Sequence, residues 1–107
     1  METIEARALH ARLERGDAIV LLDARRTEEY EREHLPGALG AMSDHIVEWA
    51  PTLVPDRDAE VVTYCRGVDC RRRLRAAERL ESLGYTNVTQ FAGGVEAWVA
   101  AGYGLER

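Results

Sequence analysis

Residues 60–75 read EVVTYCRGVDCRRRLR, and the fold class turns on how that stretch divides. Glu60-Val-Val-Thr-Tyr64 is rich in β-branched side chains, the composition of a strand. From about Arg71 to Leu83 the period changes. Leu74, Ala76, Ala77, Leu80 and Leu83 fall on one half of a helical wheel, and Gly84 supplies a stop. A strand that passes through a loop of about five residues into a helix is the unit from which α/β folds are built.

The same alternation extends in both directions. Ala18-Ile-Val-Leu-Leu22 is an unbroken apolar run ending at Asp23, the pattern of a strand buried on both faces of a parallel sheet. Upstream, Leu9 and Leu13 predict a short amphipathic helix over Ile4–Arg15, stopped by Gly16. Downstream, Arg25–Glu33 predicts one or two helical turns that end before His34-Leu-Pro-Gly37, because Pro36 disfavours a helical conformation at Leu35. A short strand is expected within Ala38–Met42. A helix capped by Ser43 or Asp44 is expected to run through Ile46, Val47 and Trp49 to Pro51. Asn87–Phe91 predicts another strand, Gly93-Gly94 a turn, and Val95–Ala101 a last helix carrying Trp98. Strand and helix alternating in this way predict an α/β sandwich around a parallel sheet.

The chain of 107 residues is 46% hydrophobic and 31% charged, which suits one globular domain over residues 1–107, a stand-alone unit without repeats or linkers. Its net charge of -5 repels polyanions, so nucleic acid and anionic membranes are excluded as main partners, and any anion must be bound by a local arrangement. No apolar run approaches the roughly 20 residues needed to span a bilayer, and the charged N-terminus is unlike a signal peptide. The expected compartment is the cytoplasm, where thiols are kept reduced. Two cysteines close together there point to chemistry or metal binding before a structural staple. A metal is not expected: two cysteines are too few for a Cys-only zinc site, and His10, His34 and His45 do not stand at ligand spacing beside them. All 14 basic residues are arginine, from which no function follows.

Both cysteines and four arginines of the chain crowd into residues 63–73. In parallel α/β sheets ligands bind beyond the carboxyl ends of the strands, and Cys65 stands at such an end. The short loop after it must curl, which Gly67 eases, so that successive N–H groups converge into an anion nest at the start of a helix. Arg66, Arg71, Arg72 and Arg73 add full charges. A thiolate at Cys65 is favoured by those surroundings, and thiolate is the nucleophile. Cys65 is therefore the candidate catalytic residue, with Arg66, Gly67, Val68, Asp69, Cys70 and Arg71 as the candidate substrate-binding loop. Asp69 runs against the charge trend and is expected to point outward or pair with an arginine. A cysteine at a strand end also occurs as a small buried hydrophobe, and arginines at a helix start as a solvated face, so the residues alone leave both readings open.

Taken together, Asp23-Ala-Arg25, Glu29-Tyr30, His34-Leu-Pro-Gly-Ala38, Tyr64-Cys65, Leu83-Gly-Tyr85, Asn87-Val88 and Gly93-Gly-Val-Glu-Ala-Trp98 resemble the rhodanese-like domain in order and spacing, over roughly Ile4 to Gly102. The resemblance implies a five-stranded parallel sheet with helices on both faces, and a Cys65 that carries sulfur as a persulfide. It gives structural parts to Asp23 and Arg25, in an ion pair with Glu29 or a neighbouring carboxylate, to His34 at the Pro36-Gly37 turn, and to Trp98 in the core. Two departures bear on chemistry. Cys70 stands where many sulfurtransferases of the family carry arginine or threonine. Arg71, one step later, completes the cysteine, five residues, arginine spacing of rhodanese-like phosphatases and arsenate reductases, although Tyr64 replaces their usual histidine.

Three readings follow from the resemblance. The favoured one is a sulfurtransferase that takes sulfur from a small anionic donor such as thiosulfate and hands it through a Cys65 persulfide to cyanide, a thiol or a protein acceptor, with no metal or organic cofactor. In it Cys70 is a candidate resolving thiol, provided the two Cα atoms lie within about 7 Å. The second is a phosphatase or arsenate reductase in which Arg71 clamps the oxyanion. The third is a non-enzymatic module that binds a partner or senses oxidants through Cys65 and Cys70.

Overall fold

The computed structural model describes residues 2–107. At its centre the apolar run forms β1 (Ile19–Asp23), which lies between β2 (Leu39–Gly40) and β3 (Glu60–Tyr64); β3 in turn pairs with β4 (Val88–Phe91). The order is β2-β1-β3-β4 and every pairing is parallel. Register sets Asp23 opposite Tyr64 and Tyr64 opposite Phe91, so the three longer strands finish level at one edge.

Alternating side chains of the sheet face opposite ways and seed two cores. Leu22 and Val61 pack with Ile46 and Ala50 of α3 (Ile46–Leu53) and with Ala76, Ala77 and Leu80 of α4 (Arg72–Ser82). Leu21, Val62 and Tyr64 pack on the other side with Leu9 of α1 (Ala6–Glu14) and Trp98 of α5 (Gly94–Ala100). Helices therefore cover both faces, as the resemblance implies. Among the described residues no helix is long and apolar enough to cross a membrane.

The sheet has four strands rather than the expected five. The place of a fifth, beside β4, is taken by a single parallel bridge between Thr3 and Gln90. Ile4 N–H donates to Gln90 C=O at 2.9 Å and Gln90 N–H to Glu2 C=O at 3.0 Å. α1 begins at Ala6, so the chain leaves the sheet edge within three residues of the bridge. The segment after β2 enters its helix through a 3₁₀ turn, Ser43–His45, and α3 continues past Pro51 to Leu53 instead of stopping there. The carbonyl that loses its partner at Pro51 belongs to Val47, an exposed residue, so water can satisfy it.

His34 has a structural part, as the resemblance implies, and plays it by packing. It does not bond the Pro36-Gly37 turn: its Nδ1 lies 2.8 Å from the Tyr30 carbonyl of α2 (Thr27–Arg32), and its ring stacks on Tyr30. The turn is held by the C-terminal tail. Gly37 N–H donates to Glu106 Oε1 at 2.9 Å, and His34 and Glu106 exchange two backbone hydrogen bonds of 2.8 Å. Trp98 is core, with its indole N–H donating to Gly104 C=O at 2.9 Å.

Candidate active site

β3 delivers Cys65 to the carboxyl edge of the sheet, where the residue is 1% exposed. Helix α5 then fixes the start of the loop from below. Val95 N–H donates to Cys65 C=O at 3.1 Å and Glu96 N–H to Arg66 C=O at 2.9 Å. That approach requires Gly94, whose φ is +60° and whose Cβ, if it had one, would strike the Cys65 carbonyl oxygen. The loop next turns back on itself through Cys70 N–H donating to Gly67 C=O at 3.1 Å. The N–H groups of Arg66, Gly67, Val68 and Asp69 have no acceptor among the described residues.

The turn brings the two cysteines together. Cys65 and Cys70 are joined by a disulfide, with their Cα atoms 6.1 Å apart. The Cys65 sulfur is thus in its oxidised, uncharged form, not the thiolate that the residue pattern favours. Gly67 does not adopt a positive φ, so the curl does not depend on glycine's left-handed freedom; the space beside it is filled by the end of the flexible Glu96 side chain.

Above the disulfide lies a cleft of about 470 Å³ that both sulfur residues line. Its cationic wall comes from two directions. Arg66 and Arg72 belong to the loop and to α4, whereas Arg25, Arg26 and Arg32 come from β1's far end and α2. Glu28 and Glu29 also line it, and Glu29 Oε2 lies 3.7 Å from Arg66 Nη2. Arg72 donates to Asp44 Oδ1 at 2.8 Å, while Arg26 and Arg32 carry no ion pair among the described residues. Arg25, Arg66 and Arg72 each face a carboxylate, so the positive charge open to a small anion is that of Arg26 and Arg32, in a protein of negative net charge.

Not every predicted loop residue reaches this cleft. Arg71 is exposed, makes no ion pair or hydrogen bond through its side chain among the described residues, and does not line the cleft, because the chain has already turned into α4. Arg73 turns back to donate to the Cys70 carbonyl. Asp69 points outward, beside a smaller cleft it shares with Arg66 and Glu96, and Val68 is the exposed loop tip. Arg26 and Arg32 line the cleft but are not among the loop residues that the sequence pattern singles out. The signal for them was the parallel pairing itself: residues that follow Asp23 must flank residues that follow Tyr64 once the two strands end together.

Beneath the cleft wall sits a closed polar cluster. Asp23 is fully buried and accepts from Arg25 Nε at 3.1 Å, Arg25 Nη2 at 2.8 Å, the Arg25 backbone N–H at 2.9 Å and Tyr64 OH at 2.7 Å. The expected ion pair of Arg25 is with Asp23, leaving Glu29 to Arg66. Burial, reinforced by the Asp23 charge, pushes the Tyr64 phenol far above its ordinary range, so it stays a neutral donor. Burial also opposes the Arg25 charge, but the hydrogen bonds and charge of Asp23 outweigh it and the guanidinium stays ionised.

Residues 5–101 match the family described as the rhodanese-like domain. The chain is 36% identical over 75 residues to the thiosulfate sulfurtransferase PspE of Escherichia coli, covering 70% of this chain and 69% of that one. It is 30% identical over 99 residues to a sulfurtransferase of Allochromatium vinosum, covering 92% and 89% respectively. The solution structure of a rhodanese-like domain from an Anabaena protein superposes with a TM-score of 0.87 at 27% identity, covering 99% of this chain and 79% of that one. Two longer curated relatives are matched over only 19% and 29% of their own length.

Proposed function

The chain belongs to the rhodanese-like domain family, and from that premise we propose that it is a sulfurtransferase working through a Cys65 persulfide. The observation that carries the reading is the place of Cys65, at the end of β3 and in the floor of a cleft walled by arginines. In the reduced protein the Cys65 thiolate attacks the outer sulfur of thiosulfate; the S–S bond of the donor breaks and its electron pair leaves on sulfite, so the total charge is unchanged. Arg26, Arg32 and Arg66 draw the dianion in, and the unpaired loop N–H groups stabilise the charge on the sulfane sulfur. The sulfur then passes to a thiol, cyanide or protein acceptor entering by the same cleft, in a cytoplasmic setting. Two relatives named as sulfurtransferases support this class of reaction.

An oxyanion reductase is the second reading, favoured by the contact of two thiol residues. Against it, Arg71 does not line the cleft in which it would clamp the oxygens. Intact-mass measurement of the reduced protein after brief exposure to thiosulfate, alongside a sulfite assay, separates the two. Sulfite release by wild type and its loss in Cys65→Ser is the expected result. Arsenate consumption without sulfite release would replace the first reading by the second.

A further inference from the structure

On the basis of the sulfurtransferase reading, we propose that Cys70 resolves the Cys65 persulfide, so that the protein releases hydrosulfide and passes into a Cys65–Cys70 disulfide that a dithiol reductant reopens. The pairing of the two residues is the first support. The second is that the bonds holding them in place do not run through sulfur. Cys65 is fixed by Val95 N–H on its carbonyl, Arg66 by Glu96 N–H, and Cys70 by its own N–H on Gly67 C=O and by the Arg73 guanidinium on its carbonyl. None of these contacts uses a sulfur atom, so opening the disulfide breaks none of them directly and leaves the Cys70 thiol beside Cys65 at a high effective concentration. The third is asymmetry of access. Cys65 is 1% exposed and Cys70 is half-buried, so an acceptor from solvent meets Cys70 on its way to the inner sulfur.

The step balances without an outside oxidant. Cys70 gives up its proton, and its sulfur attacks Sγ of the persulfidated Cys65. The bond from that Sγ to the outer sulfur breaks, and the electron pair leaves on sulfide, which takes the proton as hydrosulfide. The two cysteines together lose two electrons, and the sulfane sulfur gains them. Resetting requires a dithiol of the thioredoxin kind: its first thiolate attacks the more exposed Cys70 sulfur and expels Cys65 as thiolate, and its second thiol then attacks the first sulfur of the mixed disulfide, releasing Cys70 and leaving the reductant as a disulfide.

A single-turnover experiment tests the step. Reduced protein, freed of small thiols, is mixed with thiosulfate; sulfite and sulfide are assayed separately and the protein is mass-mapped. Wild type is expected to give sulfide and sulfite in equal amounts and to end as the Cys65–Cys70 disulfide. Cys70→Ser is expected to give sulfite without sulfide and to hold its extra sulfur at least about tenfold longer, since only slow bimolecular transfer remains. Should wild type release sulfite but keep the extra sulfur and yield no sulfide, the resolving step is overturned while the sulfurtransferase reading stands. Absence of sulfite from wild type overturns both. The wild-type sulfide-to-sulfite ratio decides the matter even if the variant does not fold.

Discussion

Two strand ends lie side by side at the carboxyl edge of this sheet, and they treat polar groups in opposite ways. At the end of β1, Asp23 is sealed: its carboxylate accepts from a guanidinium, a backbone N–H and a phenol, and nothing of it reaches solvent. At the end of β3, from two residues beyond Tyr64, the loop has four successive N–H groups without acceptors among the described residues and opens onto a cleft lined with arginines. The difference teaches where rigidity and reactivity are divided. A buried charge is tolerated only when every partner is supplied, whereas a site for an incoming anion needs donors that the protein itself does not use. The closed cluster supports the open one, because Tyr64 bonds Asp23 and immediately precedes Cys65.

The largest effect is expected from breaking the sealed end. Asp23→Asn keeps the shape but leaves the Arg25 guanidinium buried without a counter-charge, which should cost about 3–5 kcal/mol of stability. Urea unfolding of the reduced protein measures it. A loss below about 1 kcal/mol would mean that the cluster is dispensable and the two strand ends are not distinguished by burial. Gly94→Ala strikes the open end next. An alanine there must adopt a left-handed conformation and push against the Cys65 carbonyl, so a loss of about 1–3 kcal/mol is expected. Sulfite release should slow about tenfold, a barrier increase of about 1.4 kcal/mol, as Cys65 shifts within its loop. Unchanged sulfite release in a destabilised variant would show that the loop's attachment to α5 does not position the sulfur.

Why some of this was legible in the sequence and some was not has a physical basis. β1 and α4 were legible because burial on both faces and burial on one stripe leave different local periods, an unbroken apolar run against a helical wheel. β2, two residues long, lies within the Ala38–Met42 stretch where a short strand is expected, but the bridge at Thr3 pairs a single residue, and pairing of that length is decided by neighbours distant in the chain. The position of Cys65 followed from its strand, but the wall of the cleft did not follow from its loop. Arg71, next to the loop in sequence, lies outside the cleft, and Arg26 and Arg32, some forty residues from Cys65 and thirty-three from it respectively, line it. Gly67 curls without a positive φ, and what fills the space beside it is Glu96, on a helix nearly thirty residues away, which no local pattern shows.

The smallest expected effect lies on the border between the two ends, where Arg72 lines the cleft while its guanidinium is held by Asp44 of the 3₁₀ turn. Burial raises the Asp44 carboxyl, but the hydrogen bond and charge of Arg72 outweigh it, and the net shift is below the ordinary 3.8. A carboxyl whose folded value is depressed contributes stability that is complete above its unfolded value and disappears as pH falls through the folded one. The contribution of this pair is therefore present at neutral pH and is lost only below about pH 4. Asp44→Asn should leave the neutral-pH unfolding midpoint little changed, because the pair is half exposed, and should flatten the acid limb of the stability curve. It also removes the competitor for Arg72, freeing that charge for the incoming anion, so KM for thiosulfate is expected to fall about twofold at low salt and to return to the wild-type value at high salt. A KM that rises instead would show that Asp44 holds Arg72 in its productive position, which would place the 3₁₀ turn within the supporting structure of the open end.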